Sequence, residues 1–260
     1  IDSFLYPGHS VHRMHCHPKR TGKALIDSLV TAVDKAGIDI MNSATVTDIF
    51  ASKTSNIRGI RILRPDGSTE DIGCDSLILA CNGFGGNSTM VSKYIPEMAD
   101  AMYFGHPGNR GDAVNWGIGL GAAIKNMGAY QGHGSVAIPH GALITWAIMM
   151  EGGIQLNSTG RRFSNEQEGY SEQSIKVLQQ PGGIAWNIYD ERLHQLGLEF
   201  EDYRGALENG AIKHFASVDE LARSIGASSE ITTSSLEDLK AFKIGKKHCP
   251  FGRNFQKTGA

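Results

Sequence analysis

Hydrophobic positions recur at helical spacing early in the chain and at strand spacing after it. Residues 20–37 predict a helix ending at Gly37, a typical C-terminal cap, because the apolar side chains share one helical face: Leu25, Leu29, Val30 and Val33. Residues 38–52 and 55–69 show β-branched alternation and a Pro-Asp-Gly turn, which predicts strands. Residues 74–87 are apolar up to their glycines and predict a short buried strand.

This order of helix, strands and buried strand is typical of half of an α/β nucleotide-binding domain. A second helix is expected over residues 112–128, after a glycine-containing loop. Beyond about residue 130 the pattern changes, which predicts a separate α+β unit. Its strands are expected within 152–163 and 182–190, and its helices near 171–180, 190–197 and 217–226. Residues 246–260 lack periodicity and are expected to fray.

Composition narrows the function classes. With 40% hydrophobic and 20% charged residues, the 260-residue chain has a globular composition and the length of two common domains. A net charge of -2 provides no basic surface for nucleic acid. No apolar run reaches the roughly 20 residues that cross a bilayer. Four scattered cysteines indicate reduced, cytoplasmic surroundings, although a targeting signal could lie outside the fragment.

The order of several segments along the chain carries more weight than any one of them. They are RTG, ATVTDIF, LILACNGFGGN, RGDAVNWGIGLGA, YQGHGSV, GGIQLNSTGRRFSNE, QPGGIAWNIYD, VDELARSIG and CPFGR. Together they resemble the fumarate reductase and succinate dehydrogenase flavoprotein superfamily, which includes ketosteroid dehydrogenases, over nearly the whole chain. GGIQLNSTGRRFSNE is the most specific of them.

The resemblance implies an α/β plus α+β fold. Residues 1–128 would form part of a doubly wound FAD-binding domain, and residues 129–260 would form the capping domain that binds the substrate. The Gly-x-Gly-x-x-Gly unit for the FAD pyrophosphate, and a C-terminal return to the FAD domain, are absent from this sequence. The chain is therefore expected to be an internal fragment.

The resemblance also assigns residues to the cofactor, FAD. The backbone at Val46 would face the adenine, and the turn of Ala80, Asn82 and Gly83 would lie beside the cofactor. Gly111 and Asp112 would approach the flavin or its ribityl chain. The alternative is that the glycines at 83–86 only make a tight turn and that Asp112 caps the following helix.

Two residues of the capping domain are the catalytic candidates. His133 aligns with a histidine that binds a substrate carboxylate in fumarate reductases. Tyr170 stands where those enzymes hold a proton-donating arginine, and it resembles the tyrosine of ketosteroid dehydrogenases. A phenol is neutral at pH 7, whereas arginine carries a permanent charge suited to a dicarboxylate. Trp146 and Met149 replace a glutamate and an arginine of the proton path, which points the same way.

Each candidate has a simpler interpretation. Tyr170 could be a buried aromatic residue, and His133 a turn or surface residue. The segment Arg161–Glu166 is interpreted as a turn held by salt bridges. No metal is predicted, because the His-rich opening lacks a second ligand cluster. Its residues are expected to line the approach to the flavin or to lie on a loop: His12, His15, Cys16 and His17.

The sequence thus predicts an FAD-dependent oxidoreductase that makes or removes a C=C bond next to a carbonyl or carboxylate of a small organic substrate. An electron-transfer partner is possible. The alternatives are a fumarate or polycarboxylate enzyme, and a non-catalytic fragment or module unable to hold FAD alone.

Overall fold

The structure is a computed structural model that describes residues 9–53 and 56–256. These residues divide into two compact units. The smaller unit is Ile26–Tyr130, and the larger unit comprises the described parts of Ile1–Leu25 and Gln131–Ala260. Helices and strands occur in both units, in agreement with the predicted mixed fold.

The smaller unit contains an antiparallel three-stranded sheet. Its strands are β1 (Thr45–Ala51), β2 (Ile57–Leu63) and β3 (Thr69–Gly73), in the order β1-β2-β3. Helix α1 (Gly22–Lys35) precedes the sheet, and α2 (Ser88–Tyr94) and α3 (Asp112–Gly119) follow it. The predicted first helix is confirmed, although its apolar residues Leu25, Leu29 and Val30 stay about half exposed.

Two predictions for this unit are wrong. Residues 74–87 form no strand, and Ile78 is 88% exposed. A strand needs a partner for its backbone groups, and no strand among residues 9–53 and 56–256 pairs with this segment. The predicted helix over 112–128 ends at Gly119, because Gly121 adopts a left-handed φ of 84° in a glycine-rich stretch of low helical propensity.

Among its described residues, the larger unit contains two short two-stranded antiparallel sheets and six α-helices. The strands are β4 (Val136–Ala137), β5 (Ala142–Leu143), β6 (Ile154–Leu156) and β7 (Trp186–Ile188), paired β4-β5 and β6-β7. The helices are α4 (Ala147–Met150), α5 (Tyr170–Leu178), α6 (Glu191–Gly197), α7 (Glu201–Glu208), α8 (Val218–Ile225) and α9 (Ser229–Lys243). Helices α6 and α8 begin where predicted, because Asp190 and Ser217 accept backbone N–H groups as N-caps. The sequence reasoning missed α4, α7 and α9.

Two apolar clusters form the core of the larger unit. The first joins α4, α6 and α7 through Ile144, Trp146, Ile148, Met149, Leu193, Tyr203 and Ala206. The second joins β6 to α8, α9 and the last described residues through Ile154, Leu156, Ile225, Phe242 and Phe255. Both clusters therefore form around the segment 144–156, which precedes the turn to α5.

A buried carboxylate links these two clusters. Glu166 accepts hydrogen bonds from Arg162 Nε and Nη2 at 3.0 and 2.7 Å, and from Arg253 Nη1 at 2.8 Å. It also accepts the backbone N–H of Gln155 at 3.1 Å. Burial alone would raise the pKa of Glu166, but the two guanidinium groups outweigh burial and the pKa is lowered. The predicted salt-bridged turn is confirmed for Arg162 and Glu166.

The expectation of a frayed end is wrong as far as residue 256. Arg253 is 3% exposed and Phe255 is 5% exposed. The Arg253 guanidinium donates to the carbonyl oxygens of Gly153 and Met149, each at 2.7 Å, besides Glu166. These acceptors lie at least 87 residues away in sequence, so local periodicity carries no trace of them.

Glu166→Gln should destabilise the larger unit by about 3–5 kcal/mol at pH 7, because it leaves two buried guanidinium groups without a counter-ion. Since the pKa of Glu166 is lowered in the folded state, the carboxylate stabilises the fold above its unfolded pKa of about 4.3. That stabilisation is lost as the pH falls further. Urea unfolding at pH 7 and at acidic pH measures both effects.

The matched control is Asp238→Asn, which removes the exposed ion pair of Asp238 with Lys247 in the same unit. This change should alter stability by less than about 1 kcal/mol. Equal losses for the two variants would contradict a structural role for the buried carboxylate.

Candidate active site

The two catalytic candidates lie against each other in the larger unit. The His133 and Tyr170 rings stack with centroids 5.2 Å apart and an interplanar angle of 18°. Tyr170 is the first residue of α5, and its carbonyl oxygen accepts the N–H of Gly134 at 3.0 Å. The backbone therefore holds the histidine loop beside the start of the helix.

His133 is a neutral hydrogen-bond donor. Burial lowers its pKa to about 4, so the imidazole carries no charge at pH 7. Its Nδ1 accepts the backbone N–H of Ser135 at 3.2 Å, which places the ring hydrogen on Nε2. That N–H can donate to a carbonyl or carboxylate oxygen.

The Tyr170 hydroxyl has one polar partner. Its oxygen accepts a hydrogen bond from the Gln131 side-chain amide, Nε2, at 2.9 Å. Across residues 9–53 and 56–256, no acceptor takes the hydroxyl hydrogen. The sequence reasoning missed Gln131 as a site residue, although the spacing Gln-x-His was visible in YQGHGSV.

Trp146 closes the other side of the histidine. Its ring meets His133 edge to face, with centroids 5.8 Å apart at 87°. Trp146 is 2% exposed, and within the described chain its indole N–H has no acceptor. Met149 is fully buried in the same apolar cluster. Neither position contributes a charge to the site.

Amide side chains form a hydrogen-bond network that holds the loop carrying His133. Asn187 Nδ2 donates to Ser135 Oγ, and Asn187 Oδ1 accepts from Gln155 Nε2 at 2.9 Å. Gln155 Nε2 also donates to the Gly134 carbonyl oxygen at 2.7 Å, and Gln173 Nε2 donates to Gln155 Oε1 at 2.8 Å. No sequence pattern indicated this network, because its members come from β6, α5 and β7.

The smaller unit brings together two of the loops assigned to the cofactor. Gly111 N donates to the Gly83 carbonyl oxygen at 3.1 Å. Asn82 has a left-handed φ of 65°, and its Oδ1 accepts the N–H of Gly83 at 2.9 Å. A Cβ at Gly83 would meet no atom within 4 Å. The backbone at Gly83 is thus open to close approach by a ligand.

Asp112 adds a carboxylate beside this turn. Gly111, with φ 87°, is the N-cap of α3, so Asp112 is the first helical residue and the alternative of Asp112 as the cap is wrong. Among the residues that the structure describes, no donor bonds the Asp112 carboxylate, which can therefore accept from a hydroxyl. Open backbone and a free carboxylate fit the ribityl chain of FAD.

The other two residues assigned to FAD are Val46 and Ala80. Val46 lies in β1, where it pairs with Ile62 of β2, and Ala80 is exposed. No hydrogen bond of the described residues ties either of them to the loops at Gly83 and Gly111. Their contact with the cofactor stays a prediction.

The described residues contain neither a metal-ligand cluster nor a membrane-spanning helix. They hold no group of three or more His, Cys, Asp or Glu side chains that could bind a metal ion. Over the same residues, every helix is too short or too polar to span a bilayer.

Comparisons with known proteins show the family of the chain. The family model of the FAD binding domain matches residues 5–233. NADH:fumarate oxidoreductase of Klebsiella pneumoniae (strain 342) is 28% identical over 250 residues, which cover 95% of this chain and 26% of that protein.

Solved structures of flavoproteins also match the fold of the chain. The open conformation of a flavocytochrome c3 fumarate reductase has a TM-score of 0.75 and 25% identity, and the match covers 94% of this chain and 43% of that one. The 3-ketosteroid delta1-dehydrogenase from Sterolibacterium denitrificans has the same fold, with a TM-score of 0.64, 20% identity and coverages of 88% and 45%. The chain spans less than half the length of each of these proteins.

His133 should remain neutral in the folded protein down to about pH 4. Because its folded pKa lies below the unfolded value of 6.5, its burial stabilises the fold fully above pH 6.5, and this contribution is lost as the pH falls toward 4. Nuclear magnetic resonance titration of the histidine ring signals measures this, with His133→Gln assigning the signal. Titration of His133 near pH 6.5 would contradict its burial.

Gly111→Ala should weaken both folding and FAD binding. A Cβ there would lie 2.4 Å from Met90 Sδ, in addition to the strain of a left-handed φ. Gly121→Ala is the matched control, because Gly121 has φ 84° but open space around it. We expect Gly111→Ala to cost about 1–3 kcal/mol more than the control. Thermal unfolding and FAD titration test this, and equal effects of the two variants would argue against close packing at Gly111.

Proposed function

This chain belongs to the FAD binding domain family, and we propose that it serves an FAD-dependent oxidoreductase that makes or removes a C=C bond next to a carbonyl. The resemblance to the fumarate reductase flavoproteins is confirmed by the family match and by the relatives. The stacked pair of His133 and Tyr170 carries the proposal, because it supplies two donors in one place.

The roles of the two residues follow from their hydrogen bonds. His133 Nε2–H donates to the substrate oxygen and holds it. The Tyr170 hydroxyl, whose hydrogen has no acceptor in the described chain, gives or takes the proton at the substrate. Tyr170 is partly buried against the apolar cluster, while its hydroxyl bonds an exposed glutamine, Gln131, at the edge of the pair.

The electrostatics favour a neutral carbonyl compound over a dicarboxylate. Burial alone accounts for the lowered pKa of His133, and no nearby charge contributes to it. The arginines Arg162 and Arg253 are both engaged by Glu166. A dicarboxylate would need cations to replace its hydration, and the described surroundings of His133 supply none. The solved ketosteroid dehydrogenase, in complex with 1,4-androstadiene-3,17-dione, illustrates such a neutral ligand.

Reduction of fumarate or a related polycarboxylate is the second candidate. The observation in its favour is that NADH:fumarate oxidoreductase and a fumarate reductase structure both match over more than nine-tenths of this chain. In that case His133 would bind a carboxylate, and cations from outside the described residues would complete the site.

FAD, when bound, would supply or accept the hydride that the reaction needs. We place it beside the turn of Ala80, Asn82 and Gly83, with Gly111 and Asp112 near the flavin or its ribityl chain. The backbone at Val46 would face the adenine. The smaller unit would thus be part of a doubly wound FAD domain, with a boundary near residue 128, and the rest would be the capping domain. An electron-transfer partner and a cytoplasmic location are further parts of this proposal.

The test is anaerobic reduction of the protein reconstituted with FAD. We expect a 3-ketosteroid to bleach the flavin absorbance and succinate to leave it unchanged. Tyr170→Phe should slow bleaching by about 10²–10⁴-fold, the usual contribution of a positioned acid or base, while flavin binding is retained. The control is Tyr94→Phe, on α2 of the smaller unit.

Each other outcome selects another function. Bleaching by succinate and not by the steroid would replace the proposal with the polycarboxylate candidate. A protein that stays colourless after reconstitution would indicate a non-catalytic module. Full activity of Tyr170→Phe would remove the tyrosine from the mechanism.

A further inference from the structure

We propose that Gln131 is a positioning residue that stabilises the phenolate left when Tyr170 gives up its proton. The inference rests on the proposed function, because it concerns the same tyrosine. It starts from the hydrogen bond of 2.9 Å between Gln131 Nε2 and the Tyr170 hydroxyl oxygen. In that bond the glutamine donates and the tyrosine accepts.

The direction of the bond decides its chemical effect. A phenolate oxygen accepts hydrogen bonds more strongly than a phenol oxygen, so a fixed donor favours the charged form. When the proton passes from Tyr170 to the substrate, the O–H bond breaks and the oxygen keeps the electron pair. Gln131 then faces a full negative charge at the distance that it already holds. In the reverse direction, the same donor stabilises the phenolate that accepts the proton.

The loop that carries Gln131 is tightly held against α5. Ser171 Oγ donates to the Gly132 carbonyl oxygen at 3.2 Å. A Cβ at Gly132 would lie 2.1 Å from Ser174 Oγ, so only glycine permits this approach. The amide of Gln131 therefore needs little rearrangement to stay with the hydroxyl during the reaction.

Other groups around Tyr170 do not replace this donor. His133 stacks on the ring and is neutral, because burial lowers its pKa to about 4. Of the acidic residues beside the start of α5, Glu166 is paired with Arg162 and Arg253, Glu168 is paired with Lys176, and Glu172 is exposed. Within the described chain, no cation bonds the Tyr170 hydroxyl. Among the described residues, Gln131 is therefore the hydrogen-bond donor to the phenolate, at an exposed position.

The experiment compares Gln131→Leu and Gln131→Glu with Gln179→Leu. The leucine removes the donor, and the glutamate keeps the size but places a negative charge beside the phenolate. Gln179 is an exposed glutamine that follows α5 and serves as the matched control. The first readout needs no substrate: the carbon-13 resonance of the Tyr170 ζ carbon, assigned with Tyr170→Phe, reports the hydrogen bond that its hydroxyl oxygen accepts.

At a fixed pH we expect this resonance to move in Gln131→Leu and in Gln131→Glu, because each variant loses the amide donor, and to stay unchanged in the control. In flavin reduction by the ketosteroid, kcat should fall about tenfold for Gln131→Leu, with KM little changed. An unchanged resonance in both variants would overturn the inference.

The two readouts separate this inference from the proposed function. If the resonance shifts but Tyr170→Phe reduces flavin at the full rate, Gln131 still positions the tyrosine and the proposed catalytic role fails. If the resonance is unchanged while Tyr170→Phe is inactive, the proposed function stands and the role of Gln131 fails. Circular dichroism of each variant excludes misfolding as the cause.

Discussion

The Glu166 carboxylate, fully buried between two guanidinium groups, is the interaction on which the larger unit depends. Through Arg162 it fixes its own turn, through Arg253 it holds the last described residues, and through the N–H of Gln155 it reaches β6. Burying three charges is costly, so the cluster is stable only while every partner is present. The role of this cluster is to fix the positions of β6 and of the start of α5.

The candidate active site is built on that base by neutral groups. The side chain of Gln155, in β6, positions the loop that carries His133, because it donates a hydrogen bond to the Gly134 carbonyl oxygen. Burial then keeps the His133 imidazole uncharged, while Tyr170 is partly buried against the apolar cluster beside it. The buried charges thus lie in the cluster of Glu166 with its two arginines, and not beside His133 and Tyr170. This separation favours a carbonyl substrate held by hydrogen bonds, as proposed, over a substrate held by ion pairs.

The smaller unit has a different kind of order. Its sheet is antiparallel and local, and its turn at Gly83 and loop at Gly111 meet through backbone bonds. Glycine allows both the left-handed φ at Gly111 and the contact with Met90. Apolar side chains at Ile78 and along α1 remain exposed in the described structure, since no paired strand or packed helix covers them.

The sequence by itself determined the family, the mixed fold, most helix positions and the two catalytic candidates. These features depend on local periodicity, on capping residues such as Ser217, and on an ordered set of motifs. Only the tertiary structure decided that residues 74–87 form no strand, that Arg253 is buried, and that Gln131 bonds Tyr170. The physical reason is distance along the chain. Strand pairing, burial of a charge and a hydrogen bond across 39 residues depend on partners that local sequence does not specify.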